Sequence, residues 1–256
     1  MPSSAPTATT APTRFEDQAC PHRVPHPLMD QDWRQLSLLH WRYQPEVVAS
    51  LLPPGLIVDT FEGAAWVSLV PFLLRVRVPH GPALRWLGVF PETNVRTYVR
   101  GPDGHRGIWF LSLDAPRRLA VWAARRSYHL PYQVSAMSLH HRGNARWYAG
   151  RRMSGAARGV TSRVCVTLLD RIAPWEMSPL DVFLTARWRL YAPLSTGMGA
   201  ARVEHDPYRL WRASSAAPDA GLLVAAGLPR PVGHPLVHAA DDVHAAMSRL
   251  TPCGVS

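Results

Sequence analysis

The sequence predicts an α+β chain made mainly of antiparallel β-structure, a barrel or sandwich with a few short helices packed outside. Three observations carry this. About ten short apolar or alternating runs are separated by clusters of Gly, Pro, Asn and Asp, the punctuation of strands and turns. Only two or three stretches carry helical start or stop signals. The runs also follow one another too closely for strand–helix–strand crossovers, which favours antiparallel pairing. With 256 residues, 47 % of them apolar, the chain can bury one large core, and it shows neither an internal repeat nor a second domain.

Residues 1–30 are rich in Pro, Ala, Thr and Ser and read as a disordered leader. Residues 31–217 read as the single barrel domain, and 218–256 as an Ala/Pro-rich segment whose order the pattern does not decide. Within the domain, 33–43 reads as the first strand. Pro45 suits the first turn of a short helix, P-E-V-V-A-S-L-L, which Pro53-Pro54-Gly55 ends. A second hairpin is expected on either side of Glu62-Gly63. The run 73–78 alternates apolar residues with arginine, as a half-exposed strand does, and 79–82 forms a proline-rich loop. A further hairpin turns at Arg142-Gly143-Asn144, and 159–169 is another strand. Ser178 caps a two-turn helix over 179–186. Residues 187–191 and 208–213 read as two more strands. D-D-V-H-A-A-M in the tail fits either helix or strand.

The centre of the chain is the stretch 90–132. F-P-E-T-N-V-R-T-Y-V-R and I-W-F-L-S-L-D-A flank a G-P-D-G-H-R-G turn, the local signature of a hairpin, and A-R-R-S-Y-H-L-P-Y closes the stretch. Successive strand residues face opposite sides, so Val95, Thr97 and Val99 point one way while Asn94, Arg96, Tyr98 and Arg100 point the other, with Glu92 on that same polar side. Such a row is either a solvated surface or the lining of a polar cavity.

Composition removes several classes of function. All 28 basic residues are arginine and none is lysine, so no side-chain amine is present to form an imine. The net charge of +10 is spread along the chain without a basic cluster or a nucleic-acid-binding motif. Nucleic acid is therefore the weakest of the partner classes. Three distant cysteines make neither a disulfide framework nor a zinc ribbon, and Cys165, between Val164 and Val166, reads as a small core hydrophobe. No apolar run reaches membrane-span length and the N-terminal residues lack a signal-peptide pattern, so a cytoplasmic protein is expected.

Several residues carry a chemical reading beside a structural one. Glu92 is a general acid/base in a partly apolar cavity or a structural carboxylate paired with Arg96. Arg96 is a carboxylate clamp or a surface arginine. Asn94 and Tyr98 share the face as ligand donors or as packing. Arg125-Arg126 reinforce an anionic pocket or are solvated. Tyr128 and Tyr132 bring phenols to the pocket mouth or are buried aromatics. Asp114 is expected to cap the turn at Ala115-Pro116. His205 and His40 are ligand contacts or core histidines. No metal site is expected: Pro235 spoils the helical spacing of His234 and His238, and His140-His141 face opposite sides of a strand.

H-W-R-Y-Q-P-E, L-L-P-P-G-L-I-V-D-T-F-E-G-A-A-W-V, F-P-E-T-N-V-R-T-Y-V, G-I-W-F-L-S-L-D-A, A-R-R-S-Y-H-L-P-Y, F-L-T-A-R-W-R-L-Y and H-D-P-Y occur in this order from about Trp33 to Trp211. On these blocks the chain resembles the YqjF-like bacterial proteins, an uncharacterised family grouped with the acetoacetate-decarboxylase-like fold. The resemblance implies a cone-shaped closed antiparallel barrel with an interior ligand site. In decarboxylases of that fold a strand glutamate and a lysine pair after a proline handle the carbonyl. Glu92 corresponds to the glutamate, whereas Tyr132 and Gln133 stand where the amines would be. The fold can be inherited without the imine reaction. The expected ligand is a carbonyl or carboxylate metabolite held by Asn94, Arg96, Tyr98, Arg126, Tyr128 and His205, with Glu92 and Tyr132 catalytic in a lyase, hydratase or isomerase. A non-catalytic binder on the same barrel is the alternative. No cofactor is implied, and homo-oligomer formation is compatible with the reading.

Overall fold

A computed structural model describes residues 18–77, 88–155 and 157–253. Fifteen strands belong to one sheet: β1 (Met29–Arg34), β2 (Ser37–Tyr43), β3 (Ile57–Val58), β4 (Ala65–Arg77), β5 (Val89–Arg100), β6 (Arg106–Ala115), β7 (Tyr132–Arg142), β8 (Ala145–Arg152), β9 (Thr161–Arg171), β10 (Arg189–Leu194), β11 (Gly197–His205), β12 (Leu210–Ser214), β13 (Leu236–Ala240), β14 (Val243–Met247) and β15 (Thr251–Pro252). Four short helices accompany them: α1 (Pro45–Ala49), α2 (Arg118–Tyr128), α3 (Pro179–Thr185) and α4 (Gly221–Ala225).

The sheet closes on itself twice. An outer ring runs β1-β14-β11-β10-β6-β7-β8-β9-β12-β13-β2-β4 and returns from β4 to β1. Strand β5 crosses that ring by pairing with both β4 and β6. It divides the interior into a ring of β1, β14, β11, β10, β6, β5 and β4, and a second one bounded by β6 to β9, β12, β13, β2, β4 and β5. Each half has its own apolar core. Phe72, Phe90, Leu113, Leu190, Val203 and Met247 fill the first; Leu39, Trp41, Val67, Leu69, Val95 and Val166 fill the second. The predicted cone-like antiparallel sheet is thus present, as a ring partitioned by β5 rather than a regular single-walled barrel.

This partition explains why the alternation in β5 did not mark a solvated face. Val95 packs into the second core, while Glu92, Asn94 and Arg96 turn toward the first, and both faces are buried. Opposite β5, strand β6 carries one extra residue at Leu111, a bulge that shifts the register between Val95 and Arg96.

Several sequence expectations require correction. The run 33–43 is two strands, because Gln35 adopts φ 49° and bends the chain. The halves then pair with successive lengths of β4, so the bend lies where the two rings part. The hairpin at Glu62-Gly63 shrinks to one bridge, Phe61 to Ala64, and β3 pairs with β5 instead. Residues 118–128 form α2, a stretch rich in the helix formers Ala, Leu and Arg. It is the crossover between β6 and β7, which pair in parallel, as do β6 and β10. Strand β11 lies in the segment expected to connect two strands.

The boundaries at 30 and 218 do not mark edges of the folded unit. Val24 is buried, its N–H meets the Glu204 carboxylate, and Leu28 N–H bonds to Met247 O. D-D-V-H-A-A-M resolves as strand: β14 pairs with β1 and β11, and β13 with β2 and β12. The leader residues 1–17 and the loop 79–82 lie outside the described residues. The Ser178 cap is present, with Asp181 N–H donating to Ser178 Oγ at 3.2 Å and Ser178 N–H to Asp181 at 2.8 Å.

Candidate functional site

The first ring holds a cavity of about 70 Å³, room for roughly five water-sized positions. Its wall is mostly apolar, with Trp33, Val70, Phe72, Phe110, Leu190 and Met247 among the lining side chains. Into it β5 delivers Glu92, Asn94 and Arg96, two residues apart on one face; β7 adds Tyr132, β11 adds His205, the last residue of α3 adds Thr185 and the segment after it adds Arg187.

Glu92 and Tyr132 form a buried pair, 3 % and 8 % exposed, with the phenol donating to Glu92 Oε2 at 2.8 Å. Burial raises the Glu92 pKa to about 7, opposing the hydrogen bonds from Tyr132 and Asn94, and the nearby Asp114 charge adds an upward push. Burial and the Glu92 charge push the Tyr132 phenol far upward, so it remains a donor. Glu92 is not the ion-pair partner of Arg96. Arg96 is 7 % exposed, Nε and Nη2 meet no acceptor, and no ion pair of this guanidinium is found among the described residues. The Oδ1 of Asn94 is likewise without a partner. Nε–H and Nη2–H form the side-on edge of a guanidinium, the fork that matches two oxygens lying side by side.

His205 lines the cavity, and burial lowers its pKa to about 4, keeping the ring neutral at pH 7. Its Nδ1 lies 2.6 Å from Asp206 O. A carbonyl only accepts, so the proton is on Nδ1. The rings of Trp33, Trp188 and Tyr208 pack around it at 5.4, 4.4 and 4.8 Å between centroids.

Three expected ligand residues lie elsewhere. Tyr98 shares the face of Arg96 but is wholly buried in the first core, where its hydroxyl contacts Ser68 Oγ at 2.7 Å and Leu184 O at 3.0 Å. Tyr128, at the end of α2, is buried with its hydroxyl donating to Ser248 O at 2.9 Å. Arg126 is exposed on α2 and is not among the residues lining the cavity. The side chain of Arg125 is outside the described residues. Asp114 does not cap a turn: it is buried in a bidentate pair with Arg152, at 2.9 and 2.8 Å, and accepts from Ser135.

His40 belongs to a buried chain of polar groups. Asp181 Oδ1 lies 2.9 Å from His238 Nε2, His238 Nδ1 lies 3.3 Å from His40 Nε2, and His40 Nδ1 lies 2.6 Å from Ser68 Oγ, which meets Tyr98. Burial, with His238 and Arg96 nearby, lowers the His40 pKa well below its usual value. His234 is exposed, so the histidines at 234 and 238 do not converge. Among the described residues no cluster of metal-ligating side chains is found.

Arg187 was missed. R-W-R-L-Y reads as alternating strand, but β10 begins only at Arg189. Arg187 is fully enclosed, donating from Nε to Phe183 O at 2.8 Å and from Nη1 to Asp59 at 2.6 Å, while Nη2 meets no acceptor.

A model of a family of uncharacterized conserved proteins, domain of unknown function 2071, matches residues 30–244. The chain belongs to this family. A curated relative, the uncharacterized protein YqjF of Bacillus subtilis (strain 168), is 33 % identical over 212 residues, 82 % of this chain and 86 % of that one. Solved structures share the family's fold at low identity. An acetoacetate decarboxylase-like enzyme from Sphingomonas wittichii RW1 aligns with TM-score 0.61 and 14 % identity, over 89 % of this chain and 93 % of that one. The enduracididine biosynthesis enzyme MppR, complexed with pyruvate, aligns with TM-score 0.61 and 14 % identity over 96 % and 99 %. Acetoacetate decarboxylase from Legionella pneumophila aligns with TM-score 0.57 and 11 % identity over 96 % and 98 %. At these identities the likeness establishes the fold.

Proposed function

We propose that this protein is an enzyme of proton transfer next to a carbonyl, acting on a small α-keto acid by enolisation and without an imine. The observation that carries the reading is the buried Tyr132–Glu92 pair sharing one cavity with the unpartnered Nε–Nη2 edge of Arg96. An α-keto acid presents its carbonyl oxygen and one carboxylate oxygen side by side, which suits that edge. Ionised Glu92 takes a proton from the carbon beside the carbonyl. The C–H electron pair moves into the carbonyl π system, and the enolate oxygen accumulates its charge against Arg96. Return of the proton from the Glu92 carboxyl to carbon regenerates the base. Tyr132 orients Glu92 by its hydrogen bond.

Support comes also from the absence of lysine in the chain, which leaves no side-chain amine for an imine, and from the pyruvate complex of the structurally similar MppR. The test is exchange of the pyruvate methyl protons with D2O, followed by proton NMR. The expected result is protein-dependent exchange that falls at least about a hundredfold in Glu92→Gln, while that variant still binds pyruvate. Binding without exchange in the parent protein supports the non-catalytic binder instead.

A further inference from the structure

A second cation faces the cavity, in an electrostatic setting different from that of Arg96. The Arg187 guanidinium stacks on Phe183 and Tyr98, 4.3 and 4.9 Å from their ring centres, and lines the cavity with one nitrogen unpartnered. Its carboxylate partner is shared. Asp59 also takes Arg106 at 2.7 Å and Arg100 at 3.3 Å, so one carboxylate faces three guanidiniums. Arg96 lies by the same Tyr98 ring, 6.0 Å from its centre. The two guanidiniums are therefore no more than about 11 Å apart, within the reach of a four- or five-carbon chain with its end groups. A buried guanidinium with unfilled donors is unfavourable unless an acceptor is supplied. Here two such residues line one cavity, and its lining carboxyl, Glu92, already accepts from Tyr132.

We propose that the ligand is a short α-keto diacid, its keto-acid end on the Nε–Nη2 edge of Arg96 and its distal carboxylate on Nη2 of Arg187, which makes Arg187 the residue that selects diacids over monoacids. This rests on the proposed function in taking the same cavity as the ligand site and the same seating of a keto-acid end on Arg96, but not on turnover. Arg187 stays charged at neutral pH, since burial lowers its pKa only to about 10. Its anchors, Phe183 O and Asp59, hold the guanidinium in place before a ligand arrives.

The test is calorimetric titration of the full chain with two chain-matched pairs, oxaloacetate against α-ketobutyrate and α-ketoglutarate against α-ketovalerate. The expected result is that one diacid binds at least about tenfold tighter than its monoacid partner. Arg187→Met should abolish that ratio and leave monoacid affinity within about twofold, whereas Arg96→Met should weaken both classes. Equal affinities within both pairs, no binding of any of the four acids, or a diacid preference that survives Arg187→Met would overturn the proposal. Should Arg187→Met fail to fold, the affinity ratios of the parent protein still decide. A diacid preference without proton exchange would sink the catalytic reading and leave this one standing; exchange of monoacids with no diacid preference would do the reverse.

Discussion

The Tyr132 hydroxyl donates to Glu92 at 2.8 Å although the two residues come from strands that do not pair with each other. Strands β5 and β7 lie on either side of β6, β5 antiparallel and β7 parallel to it, so both aim a side chain into the same ring. Burying the pair in a largely apolar space is what lifts the Glu92 pKa to about 7.

Glu92→Gln should stabilise the protein at alkaline pH. The native carboxyl pKa, about 7, lies above its ordinary 4.5, so its contribution is most favourable below pH 4.5 and is lost as pH rises through 7. At pH 8 the parent pays for a buried charge that the amide avoids, a gain for Glu92→Gln of about 3 kcal/mol. Denaturant melts at pH 8 and pH 4.5 check this: the advantage should be large at the first and near zero at the second.

Acid should act in the opposite sense through the histidines. His205 falls to about 4 and His40 is lowered well below 6.5, so both remain neutral in the fold while the unfolded chain takes up protons below about pH 6.5. Their stabilising effect is complete above that pH and drains away as pH falls. In a Glu92→Gln background, which removes the opposing titration, stability should drop by several kcal/mol between pH 7 and pH 4. Adding His40→Gln should flatten that slope.

The Asp114–Arg152 pair is buried, bidentate and tied to Ser112 and Ser135. Removing one member strands the other, so Asp114→Ala should cost on the order of 3–5 kcal/mol in a denaturant melt. Asp114→Leu together with Arg152→Met should recover most of that loss, because the desolvation of both charges is then avoided.

Much of the fold was legible because strands and turns are written locally. The alternation in 94–100 assigned Glu92, Asn94 and Arg96 to one face, and the cavity opens on that face. Parity fixes a side and not a depth, which is why Tyr98 and Arg96 looked alike. Two residues further along the strand the same face meets Phe183 and Leu184 instead of space. Arg126 looked useful because it neighbours Tyr128, but α2 turns it outward. Arg187, the His238–Asp181 contact and the Arg152–Asp114 pair depend on residues distant in the chain, and nothing in a local window signals them. The tail was opaque for the same reason: β13 and β14 are short and Ala-rich, and they become strands by filling gaps between β12 and β2 and between β11 and β1.

The acidic limb of turnover should report Glu92. For pyruvate exchange, the rate at low substrate should rise with pH through about 7, the value for the free enzyme's base, and level off above it. Tyr132→Phe should keep the exchange but move that limb, because the phenol that holds the carboxylate is gone.

The most direct measurement is an infrared titration of the Glu92 carboxyl in the free protein, isolated as the difference between the parent and Glu92→Gln from pH 5 to pH 9. The account predicts a protonated carboxyl band that is half lost near pH 7. A carboxyl already ionised at pH 5, or still protonated at pH 9, would contradict it.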